Sequence, residues 1–136
     1  MVLGTMNHLS ITVSDRDQSE LFYDAVLTFM GYAQVERNED FTMWWQQAAG
    51  AILIVTANPD SPNQHHDRYS PGLHHFAFNA DHREQVDALY QQLLDINATI
   101  LDPPAEYPHY AEGYYAVFFA DPDGIKLELV HMPKVD

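Results

Sequence analysis

Apolar residues alternate with other residues at Leu9, Ile11 and Val13, and again at Phe76, Phe78 and Ala80, the period of a strand with one buried face. Directly after each stretch the period changes. Phe22, Val26 and Phe29 follow the first, and Leu89, Leu93 and Ile96 the second, at the i, i+4, i+7 spacing of one apolar stripe on a helix. Sliding the chain on itself by 67 residues lays "HLSITVSDRDQSELFYDAVLTF" (8–29) over "HFAFNADHREQVDALYQQLLDI" (75–96). Ser14 and Asp81 then coincide as predicted N-caps, each followed three residues on by an acidic side chain, Asp17 or Glu84, which suits exposed helix N–H groups. Gly31 closes the first predicted helix and Asn97 the second.

Beyond the helices the offset grows to 74, so that "GAILIV" (50–55) lies over "GIKLEL" (124–129) and seven extra residues fall in "DPPAEYPHYAEGYY" (102–115). The remaining strands are "AQVERN", "FTMWWQQ" and "AILIVTA" in the first copy, and a short one near Thr99–Leu101, "YYAVFFA" and "IKLELVH" in the second. The predicted class is α+β: two βαβββ modules in tandem, residues 1–57 and 73–136, joined by a loop over 58–72, with mostly antiparallel sheets forming a cup. One helix per module covers one sheet face. The other face stays open.

Strand parity selects the candidate chemistry. With Phe76, Phe78 and Ala80 turned to the helix, His75 takes the open face as the counterpart of His8, and His74 reads as a solvent-facing boundary residue. On the last strand Leu127 and Leu129 take the apolar face, which leaves Lys126, Glu128 and Val130 on the other, and at the offset of 74 the counterpart of Glu128 is Ile54. A carboxylate between leucines needs a partner or a ligand. His8, His75 and Glu128 form a two-imidazole, one-carboxylate set of the kind that binds a divalent metal, with Fe(II) favoured and Mn, Ni or Zn as other occupants. Trp44 and Trp45 are adjacent, so one faces the helix and Trp45 is placed on the pocket side with Ile54. His65 and His66 are assigned to solvent, and His131 has the wrong parity to join Glu128.

Composition narrows the classes. At 136 residues the chain is one ordinary domain, able to bury roughly two-thirds of its unfolded surface. It has no cysteine, which removes disulfides, thiol nucleophiles and Cys-ligated metals. A net charge of −14 disfavours nucleic acid and anionic membrane partners, and no apolar run is long enough to span a bilayer, so the expected setting is soluble and cytoplasmic. Phosphate-cradling glycine loops and serine-hydrolase elbows are absent.

The order "HLSITVSD", "LFYDAVLTFMGY", "GLHHFAF", "FFADPDGIKLEL" resembles the vicinal oxygen chelate superfamily, which includes glyoxalase I, extradiol dioxygenases and bleomycin-resistance-type binding proteins. The resemblance implies paired βαβββ modules around a metal, commonly in a homodimer, with His8, His75 and Glu128 at ligand positions. Ile54 stands where four-ligand glyoxalases carry a carboxylate, which argues against lactoylglutathione lyase activity. The three-ligand pattern is more similar to the dioxygenases, although Phe118 stands where their pattern has Tyr. His109 falls at the spacing of that pattern's upstream histidine and is a candidate acid/base; Tyr110, Tyr114 and Tyr115 are candidate hydroxyls for a substrate, Tyr115 as the catalytic one. Two functions follow from the resemblance: a metal-dependent enzyme, dioxygenase or lyase/isomerase, acting on a small molecule with vicinal oxygens, or a metal-free binder of the resistance type.

Overall fold

The computed structural model describes residues 2–133. Its elements run β1 (His8–Val13), α1 (Arg16–Phe29), β2 (Ala33–Arg37), β3 (Phe41–Gln46), β4 (Gly50–Thr56), β5 (Phe76–Asn79), α2 (Arg83–Asp95), β6 (Thr99–Glu106), β7 (Tyr115–Ala120) and β8 (Lys126–His131). This is βαβββ twice. The chain divides between Gln64 and His65 into two compact units, each with one helix and one four-stranded sheet. Strand order is β1-β4-β3-β2 in the first and β5-β8-β7-β6 in the second, the leading pair parallel and the others antiparallel. No helix among the described residues is long and apolar enough to cross a membrane.

In the first unit α1 buries Phe22, Tyr23, Val26 and Leu27. Its cap is Asp15, one residue later than the pattern predicts, because β1 runs through Val13 and Asp15 still has extended backbone; its side chain accepts from the Gln18 N–H at 3.2 Å. Gly31, at φ +93°, ends the helix as expected. Thr42 and Trp44 face α1: Thr42 Oγ1 donates to Glu20 at 2.6 Å, and the fully buried Trp44 donates from Nε1 to Asp24 at 2.9 Å. Truncating a buried aromatic of this size costs about 3–5 kcal/mol.

The second unit repeats the plan with different caps. Gln85 accepts from the Asp81 and His82 N–H groups at 2.7 and 3.1 Å, so α2 starts after His82 rather than Asp81. Asn97, at φ 56°, closes it in the left-handed region as predicted. The edge strand β6 shifts register twice between Ile100 and Ala105, around Pro103 and Pro104. His65 is exposed, as expected, with its ring beside the "DPDG" turn, whereas His66, also expected in solvent, is partly buried against that turn. The His66 N–H donates to the Asp123 carbonyl at 2.9 Å, and a Cβ on Gly124 would come within 2.6 Å of the His65 ring.

One register differs from the sequence reading and moves a candidate residue. Ser10 pairs with Leu53 and Ala77 with Glu128, so Leu53, not Ile54, is the repeat-equivalent of Glu128. Ile54 pairs with Ile11 on the helix-facing side and is 0% exposed. It cannot line an open-face pocket. The sequence match had aligned Gly50 with Gly124; Gly50 opens its strand directly, whereas Gly124 belongs to a turn that delays β8 by one more residue.

Candidate functional site

Glu128 sits in mid-strand on β8 with 1% of its surface exposed. The alternation that turns Leu127 and Leu129 toward α2 turns Glu128 to the opposite face, beside Ala77 and Phe118. Its Oε1 lies 3.3 Å from His75 Nε2, and its Oε2 accepts a short hydrogen bond from the Tyr114 hydroxyl. His75, directly before β5, is the half-exposed member of the pair. His74 is exposed and precedes the strand, as expected, and its Nδ1 lies 2.8 Å from His75 Nδ1, so one ring must donate and the other accept. These bonds orient an imidazole nitrogen and a carboxylate oxygen toward the same space.

The inserted segment closes over this face through its own turns. The Tyr107 N–H donates to the Tyr114 carbonyl at 2.9 Å and the Tyr110 N–H to the Tyr107 carbonyl at 3.0 Å. Tyr107 and Tyr114 pack with Leu101 on a small core of Ala116, Phe118 and Val130. Tyr107 meets Phe118 edge-on at 5.4 Å, and Phe118 in turn meets His75 at 6.4 Å. Burial first, then the hydrogen bond to Glu128 and that carboxylate's charge, push the Tyr114 hydroxyl far above the ordinary tyrosine range. Tyr114 is a fixed donor at neutral pH.

The other sequence candidates separate. Tyr115 points to α2, where its hydroxyl donates to Asp87 at 2.5 Å and Arg83 lies 4.0 Å from its ring centroid; the catalytic expectation fails because adjacent strand residues take opposite faces. Its neighbour Tyr114 takes the place beside Glu128. Tyr110 is 59% exposed and stacks on Tyr107 at 5.4 Å. His109 packs on Tyr110 at 4.3 Å and Tyr107 at 6.1 Å. In the first unit Trp45 lies on the side opposite Trp44 and is 47% exposed, as parity requires, and His8 is exposed with Nδ1 2.7 Å from Asn7 Oδ1. Among the described residues no group of three or more His, Asp or Glu stands ready as a metal cluster; His75 and Glu128 form a pair at 3.3 Å.

The sequence model described as the Glyoxalase/Bleomycin resistance protein/Dioxygenase superfamily matches residues 5–129. The chain belongs to this superfamily. Protein YqjT of Bacillus subtilis (strain 168) is 30% identical over 125 residues, 92% of this chain and 97% of that one. The metallothiol transferase FosB of Shouchella clausii (strain KSM-K16) is 31% identical over 129 residues, 95% of this chain and 80% of that one. Among solved structures, a glyoxalase/bleomycin resistance protein from Albidiferax ferrireducens T118 has a TM-score of 0.78 at 26% identity, covering 93% of this chain and 98% of that one.

This superfamily member also carries positive charge beside its histidine pair, from Lys126 and Arg68. Partial desolvation first, then the positive charges of His75, Lys126 and Arg68, lower the pKa of His74 below the ordinary histidine value. Lys126 was legible by parity, two residues before Glu128. Arg68 was not. It lies in the connector, where no periodicity indicates direction.

Proposed function

We propose that this superfamily member is a metal-dependent enzyme acting on a small molecule that offers two neighbouring oxygens. The observation that carries the reading is Glu128, a mid-strand carboxylate buried at 1% exposure with one oxygen 3.3 Å from an imidazole nitrogen. A carboxylate in such a place is costly unless it is paired or coordinating. The donors fit a divalent ion: neutral imidazole and carboxylate oxygen both suit first-row metals. His75 and Glu128 would hold it, with His8 as the third donor by its repeat equivalence to His75. Two imidazoles and one carboxylate leave positions open for substrate and favour Fe(II), ahead of Mn, Ni or Zn. When bound, the ion supplies Lewis acidity to the substrate oxygens.

The chain's own residues orient and enclose. Tyr114 holds one Glu128 oxygen, so the other is the oxygen left to coordinate. Phe118 and Tyr107 form an apolar wall, and Trp45 and Tyr110 are the proposed outer contacts. Similarity to a metallothiol transferase adds group transfer to the reaction classes, beside ring-cleaving dioxygenation and lyase or isomerase chemistry. The proposed assembly is a homodimer.

Metal titration of chelator-treated protein by calorimetry tests the reading. One ion per chain is expected for the wild type, lost in His75→Ala and Glu128→Gln and weakened in His8→Ala. Absence of binding, or binding indifferent to Glu128→Gln, would sink it in favour of a metal-free binder with the same aromatic lining.

A further inference from the structure

We infer that the substrate is an anion: a small molecule whose neighbouring oxygens are accompanied by an acidic group, carboxylate or phosphate in class, received by Arg68 and Lys126. The inference rests on the reading of His75 and Glu128 as metal-site residues and adds the substrate's charge to it.

The chain carries 20 acidic residues against 6 basic ones, so a cation has many carboxylates to meet. Three of the described cations are tied down. Arg16 donates to the carbonyls of Asn38 and Glu39 at 2.6 and 3.2 Å, Arg37 to Glu20 and Asp17 at 2.8 and 3.1 Å, and Arg83 to Glu106 at 3.0 Å. Arg68 and Lys126 form no ion pair among the described residues. Both rest on aromatic rings instead, Arg68 at 5.1 Å from the Tyr69 centroid and Lys126 at 4.6 Å from that of Phe118. The Arg68 Nε is buried without a hydrogen-bond partner. A buried donor left unpaired disfavours the fold unless something else satisfies it.

Their positions explain what that could be. The Tyr69 ring that carries Arg68 meets His74 edge-on at 5.5 Å, and His74 contacts His75. The Phe118 ring that carries Lys126 meets His75 at 6.4 Å, and Lys126 shares its face of β8 with Glu128. Each of the two cations therefore lies one aromatic ring away from the histidine pair. Aromatic support holds a cation without neutralising it, and a guanidinium fork matches a carboxylate or phosphate with two parallel bonds. A neutral substrate would leave both charges unanswered. An acidic group answers both.

The test uses the full chain loaded with Zn(II), which is redox-inert, and two probes that share vicinal oxygens and differ by one carboxylate: catechol and 3,4-dihydroxybenzoate. Calorimetry should give the carboxylate-bearing probe an advantage of about tenfold, shrinking as salt is raised. Arg68→Gln and Lys126→Gln should each reduce that advantage and together abolish it, with catechol affinity unchanged. Arg68→Lys, which keeps the charge and loses the fork, should retain part of it. Equal affinities in the wild type, binding of neither probe to the Zn(II)-loaded chain, or an advantage that survives the double substitution would overturn the anionic subsite. Failure of Zn(II) itself to bind would instead overturn the metal-site reading beneath it.

Discussion

The two units share a scaffold and differ in where their central strands carry buried polar side chains. In the first, the buried hydrogen bonds lie between sheet and helix: Thr42 to Glu20 and Trp44 to Asp24, with Leu53 at the counterpart of the Glu128 position. In the second, the helix-facing positions of β8 are Leu127 and Leu129, and the buried polar residue of that strand, Glu128, lies on the face away from the helix with Tyr114 and His75. The repeat preserves the strand-helix geometry. Among the described residues, only the second copy sets a buried strand carboxylate against an imidazole.

The sharpest break of this comparison is a pair of substitutions one residue apart. Ile54→Glu should destabilise the chain by about 3 kcal/mol or more, because it drives an unpaired charge between sheet and helix. Leu53→Glu should cost about 1 kcal/mol or less, since it gives the first unit the carboxylate that the second already carries on that face. Urea unfolding measures both. The reverse order would mean that the register is shifted by one.

Smaller in effect, Tyr114→Phe asks whether the second unit's carboxylate is held in place for a ligand. Metal affinity, read by competition with a chelator, should fall about tenfold, as for other lost partners of ligating groups, and the metal-free chain should lose about 1–3 kcal/mol because one oxygen of a buried carboxylate is left without its donor. An unchanged affinity would make Tyr114 a packing residue only.

The smallest effect lies on the helix side of the second unit. The hydrogen bond to Asp87, and burial after it, raise the Tyr115 pKa above the ordinary tyrosine value of 10.0. The folded state thus holds that proton more tightly than the unfolded chain does. The resulting stability is fully present below pH 10.0 and is lost as pH rises through the folded value. Wild type should therefore lose more stability than Tyr115→Phe between neutral and strongly alkaline pH in parallel denaturation curves.

Much of this organisation was legible in the chain. Alternation at Leu9, Ile11 and Val13 and at Phe76 and Phe78 fixed the helix-facing sides, so His75, Glu128 and Trp45 were placed on their observed faces. Ile54 was misplaced for a definite reason. "AILIV" is apolar on both faces, has no alternation to read, and took its register from a glycine match; a slip of one residue then reversed every side chain. Tyr115 and Tyr114 could not be separated while the start of β7 was unknown. Helix caps were found to within one residue, since Ser14 and Asp15, or Asp81 and His82, offer competing side chains in succession.

The kinked edge of the second sheet has a consequence for association. Pro103 and Pro104 lie where β6 slips against β7, and neither has an N–H to offer. A foreign strand arriving at that border would meet acceptors without matching donors along an uneven rim. Uncontrolled polymerisation through β6 is thereby discouraged by covalent structure alone, independent of charge or concentration.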